Sequence, residues 1–557
     1  MTQLTSANDF SRKAVESFVQ TVVFVDDKIY SATGAATREV KRLAIPVKRR
    51  KAVSKSANKE ENQQENIPQA DSTEEPQYSP YDIQASFAKK SIVCSLHQPP
   101  RQNSVGTGSD TYKLCASADI IIVDWDLYGD AGKKAQELVE NLVVQSLEDD
   151  PHQLRLVLIY TDNPNLFSVA NSLFVRLASE IDSDIDYPEA DQGLAFHTMN
   201  ARVVVLGKPA HRAADVVPFE VEESKLADRA IEEFSKLANG LLQGCILVGL
   251  AEIRKQSRKI LTKFHSGLDA AFLTHRALGL PHEEAFDHVS SLLVSEIEAV
   301  LEDGLARPLI NEDVLGDWVD VVWVPTQHAF TFVPEEVDVR VFSKSFCRSG
   351  IGLAEEYQPG NGTGLQKTVK SLRKNRRWPS SDTEEFKSLT TFLSTSQSGD
   401  DQRELAMLMG LRTYYGEEHR LTLGTVIREK TGEERYLLCL QPPCDSVRLK
   451  EPTVFMFCAL DVSSGGKLTH VVRDGDMYVD LLYKQRVEKG LTVKFRPKAG
   501  REFVMANGGV FTDMSRKKYA WVTQLKPKHA QRAVEEFARN LTRVGLTESE
   551  WLRLKAR

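Results

Sequence analysis

The chain has 557 residues, 41% hydrophobic and 27% charged, the balance of a soluble globular protein with material for three or four domains. A formal net charge of −7 excludes binding to nucleic acid through bulk charge and leaves only local basic patches for that purpose. Seven cysteines occur with no CxxC pair and no His/Cys cluster at zinc spacing, a pattern of reduced thiols. The polar start MTQLTSANDFSRK shows no signal-peptide pattern, and the longest apolar stretch, GLLQGCILVGLAEI, is too short to span a bilayer. A cytoplasmic location is therefore expected.

In chain order, TVVFV at 21–25 is a short apolar run ending in Asp26 and Asp27, the pattern of a buried strand with an acidic pair at its C-terminal tip. Residues 35–80 then lose all periodicity. From Arg38 to Lys59 there are nine Lys/Arg against one Glu, and ENQQENIPQADSTEEPQ beyond is polar and acidic. Such a stretch cannot bury enough surface to offset its ordering entropy and is expected to be a disordered insertion. YDIQASFAKKS reads as a helix, IVCSL as a strand, SDTYKLCASA as a helix, and ADIIIVDWDLYGDAG as a strand that again delivers carboxylates at its end. KKAQELVENLVVQSLED is an amphipathic helix, LRLVLIYTDNP a strand, NLFSVANSLFVRLASEI a helix and ARVVVLGKPA a last strand. Strands alternating with helices indicate a parallel sheet with helices on both faces, whose ligands sit beyond the carboxyl ends of the strands.

From about 224 to 303 the pattern is helical. LADRAIEEFSKLANGLL, AEIRKQSRKILTKF and AFDHVSSLLVSEIEAVLED each carry apolar residues at helical spacing. Residues 305–400 are mixed, with VDVVWVP and FTFVP expected as short strands and SLRKNRRWPSSD as a basic turn-rich segment. Beyond about 403 a helix precedes RLTLGTVIRE, RYLLCLQPP, TVFMFCAL, DLLYKQRVE and LTVKFRP, which suit a small β-barrel or sandwich. PKHAQRAVEEFARNLTRVG is expected to be a closing helix.

Four strand ends thus gather Asp26 and Asp27, Asp124, Thr161 and Lys208. Moving a phosphoryl group onto a carboxylate requires a carboxylate nucleophile, a divalent cation on oxygen ligands, and fixed donors around the transferred group. Asp26 and Asp27 suit the metal, Asp124 the nucleophile, Thr161 a hydroxyl donor and Lys208 a counter-charge.

At this point the sequence resembles the receiver domains of two-component response regulators, through VVFVDD, IIIVDWDLYGDAG, LVLIYT and VVVLGKP in the family's order. The resemblance implies a doubly wound, flavodoxin-like α/β domain with five parallel strands over residues 1–220, interrupted at 35–80. It also implies Asp124 as phosphoacceptor, Thr161 and Lys208 beside it, and Mg²⁺ held by Asp26, Asp27, Asp124 and the backbone carbonyl of Asp126. Gly132 matches the turn glycine after the acceptor. Tyr128 stands where the family usually has proline, and Val205 near the position that often holds a switching aromatic. The remainder is expected as a helical segment at 221–305, a mixed region at 306–400 and a β-rich α+β module at 401–557. That layout is similar to large bacterial response-receiver proteins, associated with GHKL-type ATPases, the class that includes histidine kinases, and with antiviral defence systems. The implied function is phosphorylation-responsive signalling under a partner kinase or GHKL-type ATPase, with autophosphatase activity at most. The competing reading is a receiver that serves only as a protein-docking scaffold, with the C-terminal region touching nucleic acid.

Other signals are weaker. Lys370, Arg373, Lys374, Arg376, Arg377 and Trp378, within 367–378, could bind phosphates and stack a base. VKRRKAVSK in the insertion could be a phosphate-seeking arm, and reads more simply as linker. Cys444-Asp445 reads as a turn between strands, and His419 gains no assignable partner. Walker A, GxSxG and HExxH patterns are absent, so no enzymatic constellation emerges in the C-terminal half.

Overall fold

The computed structural model describes residues 6–29, 79–322 and 399–541, except 102–104, 150–153, 182–184, 188, 199, 211, 279–284, 305–309, 417, 433, 464–466, 485 and 500; it also describes 340, 341, 343, 344, 346–348, 393 and 394. The insertion at 35–78, the FTFVP segment and the basic segment at 367–378 lie outside the described residues. The chain forms two compact units, Met1–Asp269 with Val289–Trp318, and Ala270–His288 with Val319–Arg557.

The first unit is built on strands β1 (Thr21–Val25), β2 (Val93–His97), β3 (Ile120–Val123), β4 (Arg155–Thr161), β5 (Ala195–His197) and β6 (Ala201–Gly207). Their order is β2-β1-β3-β4-β6-β5, and all pairs are parallel except β5 with β6. The five expected parallel strands are therefore present, and β5 adds an antiparallel edge. A three-residue strand is too short to show alternation, so the sequence pattern does not announce it. Strands β3, β4 and β6 are buried at every position, which explains the Ile/Val/Leu runs at their centres. Around the sheet run α1 (Ala7–Phe18), α2 (Pro80–Ala88), α3 (Asp110–Ala116), α4 (Lys133–Asp149), α5 (Leu166–Glu180), α6 (Leu226–Leu237) and α7 (Leu241–Lys263). Helices α2 and α6 pack together, while α3, α4 and α5 form a neighbouring series, as right-handed crossovers on two faces require. Helix α1, capped by Ser6, had no expectation attached to it; its Phe10, Ala14 and Val15 are buried where it packs on α6 and α7. The single helix expected through LADRAIEEFSKLANGLL breaks at Ala238–Gly240, where Gly240 precedes α7.

Helix α6 is tied to the sheet by a buried ionic network. Arg202 on β6 is fully buried and donates from Nε to Glu233 of α6 at 2.8 Å and from Nη2 to Asp191 at 2.6 Å and to Glu233 at 2.5 Å. It also meets the ring of His197 on β5. Lys236 closes the cluster onto Asp191 and Glu233.

Helices α8 (Asp269–Leu278), α9 (Ala285–Gly304) and α10 (Glu312–Val322) follow. Helix α10 takes in VDVV at 319–322, correcting that part of the strand expected at VDVVWVP, while 323–325 lie outside the described residues. Asn311 accepts from the Val314 N–H, and Glu312 and Asp313 fill the first turn, so capping and the helix dipole outweigh the β-branched residues.

The second unit contains α11 (Asp400–Gly410), strands β7 (Thr425–Glu429), β8 (Tyr436–Cys439), β9 (Thr453–Val462), β10 (His470–Asp474), β11 (Met477–Leu482), β12 (Gly490–Phe495), β13 (Val510–Thr512) and β14 (Lys518–Gln524), and α12 (Pro527–Leu541). These eight strands pair antiparallel, and the Phe495–Asp513 bridge, with the Met514 N–H donating to the Lys494 carbonyl at 2.9 Å, joins β12 to the end of β13 and closes six of them as the small barrel the sequence pattern suits. Alternate residues feed two cores. Val426, Leu438, Cys458 and Leu460 pack with Ala530, Ala533 and Phe537 of α12, and Ile427, Leu437, Phe455, Phe457 and Phe495 pack on the other side. Among the described residues, no helix is long and apolar enough to cross a membrane.

The Arg202 network sets a stability test. Arg202→Met leaves the buried carboxylates of Glu233 and Asp191 with only Lys236 and Arg229 to offset them. The expected loss of unfolding free energy is about 3 kcal/mol, measured by urea denaturation; a change within error would show that the network contributes no net stability.

Candidate phosphoacceptor site

The site follows from strand register. Val25 pairs with Val123, Val123 with Ile159, and Thr161 with Gly207, so the parallel strands end at one edge. The hydrogen-bond ladder runs past them: the Asp124 N–H donates to the Val25 carbonyl at 2.9 Å, and the Lys208 N–H to the Thr161 carbonyl at 2.7 Å. Asp26 and Asp27 after β1, Asp124 after β3, Thr161 at the end of β4 and Lys208 after β6 are thereby brought together. Asp26, Asp124, Thr161 and Lys208 are buried, and Asp27 is half-buried.

The Lys208 ammonium lies 2.7 Å from Asp124 Oδ1 and 3.3 Å from Asp26 Oδ2. Carboxylate oxygens of Asp26, Asp27 and Asp124 all lie within 4.8 Å of one another. The backbone orients them: the Lys28 N–H donates to Asp26 Oδ1 at 2.7 Å, Tyr128 N–H to Asp27 Oδ2 at 2.9 Å, and Asp126 N–H to Asp124 Oδ2 at 3.2 Å. Asp27 Oδ1 is buried with no hydrogen-bond partner. A buried carboxylate oxygen left bare is costly. Three carboxylates around one lysine, one of them carrying that bare oxygen, make an all-oxygen donor set that fits a hard divalent cation such as Mg²⁺.

Burial pushes the Asp124 carboxyl up to about 6, against the opposing pull of Lys208 and with a further push from Asp26. Desolvation would lower the Lys208 ammonium, but Asp124 and Asp26 outweigh it and hold it above the ordinary lysine value. At the mouth, the half-exposed Lys28 faces Asp162 at 3.5 Å. Desolvation pulls its ammonium down, and Asp162 and Asp124 hold it above the usual range. Thr161 Oγ1 accepts from the Asn163 N–H at 3.1 Å.

The turn after Asp124 explains the departure at Tyr128. Its φ is +65°, and its N–H is engaged by Asp27. Proline has neither that φ nor an N–H, so this turn excludes it. The Tyr128 hydroxyl donates to the Pro99 carbonyl at 2.5 Å, and the Lys134 ammonium stands 5.2 Å from its ring centre. Gly132 is required twice over: its φ is +88°, and a Cβ there would stand 2.2 Å from the Trp125 ring. Val205 is buried within β6 opposite Ile159, so no aromatic stands at that position to rotate. The nearby Tyr160 is itself buried, its hydroxyl donating to the Val221 carbonyl at 2.7 Å.

Sequence reasoning missed Arg212. Its guanidinium, with a side chain 2% exposed, donates to the carbonyls of Thr161 at 3.2 Å, Asn163 at 3.1 Å and Lys208 at 2.5 Å, and pairs with Glu220 at 2.8 Å. It sits in the loop GKPAHRAAD, where no local pattern distinguishes it from a surface arginine; only the fold shows that it braces two of the site's loops. In the second unit, His419 stacks on Trp521 with ring centres 3.7 Å apart, and the exposed Cys444 hydrogen-bonds Asp445 in a turn at 3.5 Å. These contacts are structural and make no nucleophile–base pair.

Residues 18–213 match the family model described as the response receiver domain. No curated protein and no solved structure matches the chain.

The cation fit predicts a linkage effect. Mg²⁺ at about ten times its dissociation constant should stabilise the first unit by about 1.4 kcal/mol, a rise of about 4 °C in its melting transition. Asp27→Asn should abolish the rise. Identical wild-type melting curves with Mg²⁺ and with chelator would count against the metal site.

Proposed function

Since residues 18–213 are a response receiver domain, we propose that this protein is a phosphorylation-responsive signalling protein in which Asp124 is the acceptor. The observation that carries the reading is the buried cluster of Asp124 with Lys208 at 2.7 Å, beside the carboxylates of Asp26 and Asp27.

An oxygen of Asp124 attacks the phosphorus of a donor in line. The bond from phosphorus to the donor atom, oxygen in acetyl phosphate or imidazole nitrogen in a phosphohistidine, breaks, its electron pair leaves with that atom, and an aspartyl phosphate forms. Asp26, Asp27 and Asp124, with the Asp126 carbonyl, would hold Mg²⁺, which neutralises phosphoryl oxygens when bound. Lys208 transfers its contact from the Asp124 oxygen to a phosphoryl oxygen, and the Thr161 hydroxyl donates to another. Attack of water on the same phosphorus returns Asp124 and releases phosphate, giving the switch a lifetime. The donor in the cell is proposed to be a partner kinase or GHKL-type ATPase, in keeping with the layout of the chain, and an antiviral setting rests on the same resemblance alone.

Incubating the full chain with acetyl phosphate and Mg²⁺ should give a single phosphoryl adduct by intact mass, stable in acid and labile in base. Asp124→Ala should remove it, and Lys208→Ala should slow its formation about a hundredfold. An unmodified wild-type chain, or an adduct that persists in Asp124→Ala, would sink the assignment.

A further inference from the structure

We infer that Arg212 is a positioning residue that passes the state of Asp124 to helix α6, in the place of a rotating aromatic. The inference rests on the reading of Asp124 as a phosphoacceptor and extends it to output.

The guanidinium touches both elements that must respond to a phosphoryl group. Nη2 and Nε hold the carbonyls of Thr161 and Asn163 in the β4–α5 loop, and Nη1 holds the carbonyl of Lys208. The backbones that carry the hydroxyl donor and the ammonium are therefore bonded to one rigid, planar group. Nη1 also donates to Glu220 at 2.8 Å, where the chain returns to the sheet edge. Glu220 bridges Gly207, the Val221 N–H donates to the Gly207 carbonyl at 2.9 Å, and Tyr160 holds the Val221 carbonyl. A single turn, Glu223–Lys225, separates this point from α6.

The packing leaves little slack. Gly207 gives the guanidinium its room, since a Cβ there would stand 2.5 Å from Arg212 Nη1. When Lys208 leaves Asp124 for a phosphoryl oxygen and Thr161 closes on the same group, the carbonyls they share with Arg212 shift. The arginine cannot follow both and keep Glu220 in place. The 208–225 segment then takes up the displacement, and α6 follows it. Val205, buried in β6, offers no alternative route of the aromatic kind.

The test compares full-length wild type, Arg212→Gln and Glu220→Gln by hydrogen exchange with and without beryllofluoride and Mg²⁺; beryllofluoride stands in for the phosphoryl group on a carboxylate. Folding is checked by circular dichroism. In wild type, the adduct should change exchange at Val221 and along α6 by about tenfold. Glu220→Gln keeps the arginine on its three carbonyls; it should bind beryllofluoride as wild type does and lose the response in α6. Arg212→Gln should bind more weakly and also lose it. If both variants respond as wild type does, or if wild-type α6 is unmoved by a bound adduct, Arg212 is only a structural brace and the inference fails. Should Arg212→Gln not fold, Glu220→Gln alone decides. If wild type binds no beryllofluoride and takes no phosphoryl group, the acceptor reading itself fails, an outcome distinct from the other two.

Discussion

The architecture of the first unit depends on one buried ammonium. Lys208 stands between Asp124 and Asp26 where water is excluded, and without it the carboxylates would repel one another across a few ångströms of low-dielectric protein. One positive charge cannot balance three negative ones. Burial leaves Asp124 a carboxyl with a pKa near 6, and Asp27 keeps a bare oxygen. A site built this way is incomplete in charge. The proposed chemistry would answer that deficit, because a divalent cation and the fixed donors around it are what allow an anionic phosphoryl group to approach a carboxylate at all.

Parallel pairing makes the cluster affordable. Strands β3, β4 and β6 are buried along their whole lengths, so register is fixed largely by apolar packing, and the site's own polar residues stand at the carboxyl ends of the strands, where the ladder runs out. The acceptor, the hydroxyl and the lysine are thus placed by backbone hydrogen bonds, and the turn after Asp124 adds the amides that orient the carboxylates. That turn uses left-handed backbone at Tyr128, Gly129, Ala131 and Gly132, a cost in strain of about 1 kcal/mol or more for each non-glycine member. The Tyr128 amide on Asp27 and the Trp125 ring against Gly132 are the contacts that offset it.

This division explains what the sequence disclosed. Apolar runs that stop at charged residues are local signals, and TVVFV before Asp26, IIIV before Asp124 and VVVLG before Lys208 could be read directly. The same logic located most strands of the second unit. It failed where tertiary contacts decide. VDVV entered a helix because Asn311 caps it from outside the apolar run, and β5 is too short to carry a period. Arg212 looks like any loop arginine until the fold closes four partners around it. The roles assigned through family resemblance concern chemistry at the acceptor, and chemistry is carried by side chains adjacent to strand ends. Output is carried by loops between elements, where sequence patterns are silent.

The two ends of β6 show why output should leave through the loop. At its start, Arg202 is locked to Glu233 in the middle of α6 and to Asp191, all fully or nearly buried. Separating those charges in the interior would cost several kcal/mol, so that contact behaves as a fixed point. At its end, the link from Lys208 to α6 runs through backbone carbonyls, one guanidinium and Glu220, which is partly open to solvent. That link reaches α6 only through the Glu223–Lys225 turn, so a shift of the loop acts on the start of the helix and not on its middle. A helix fixed by charge in its middle and joined at its start to a loop that shifts would pivot about the fixed point. The buried network near Glu233 and the arginine brace at 212 are then two halves of one arrangement, an anchor and a lever on the same strand, with the acceptor carboxylate at the lever's end.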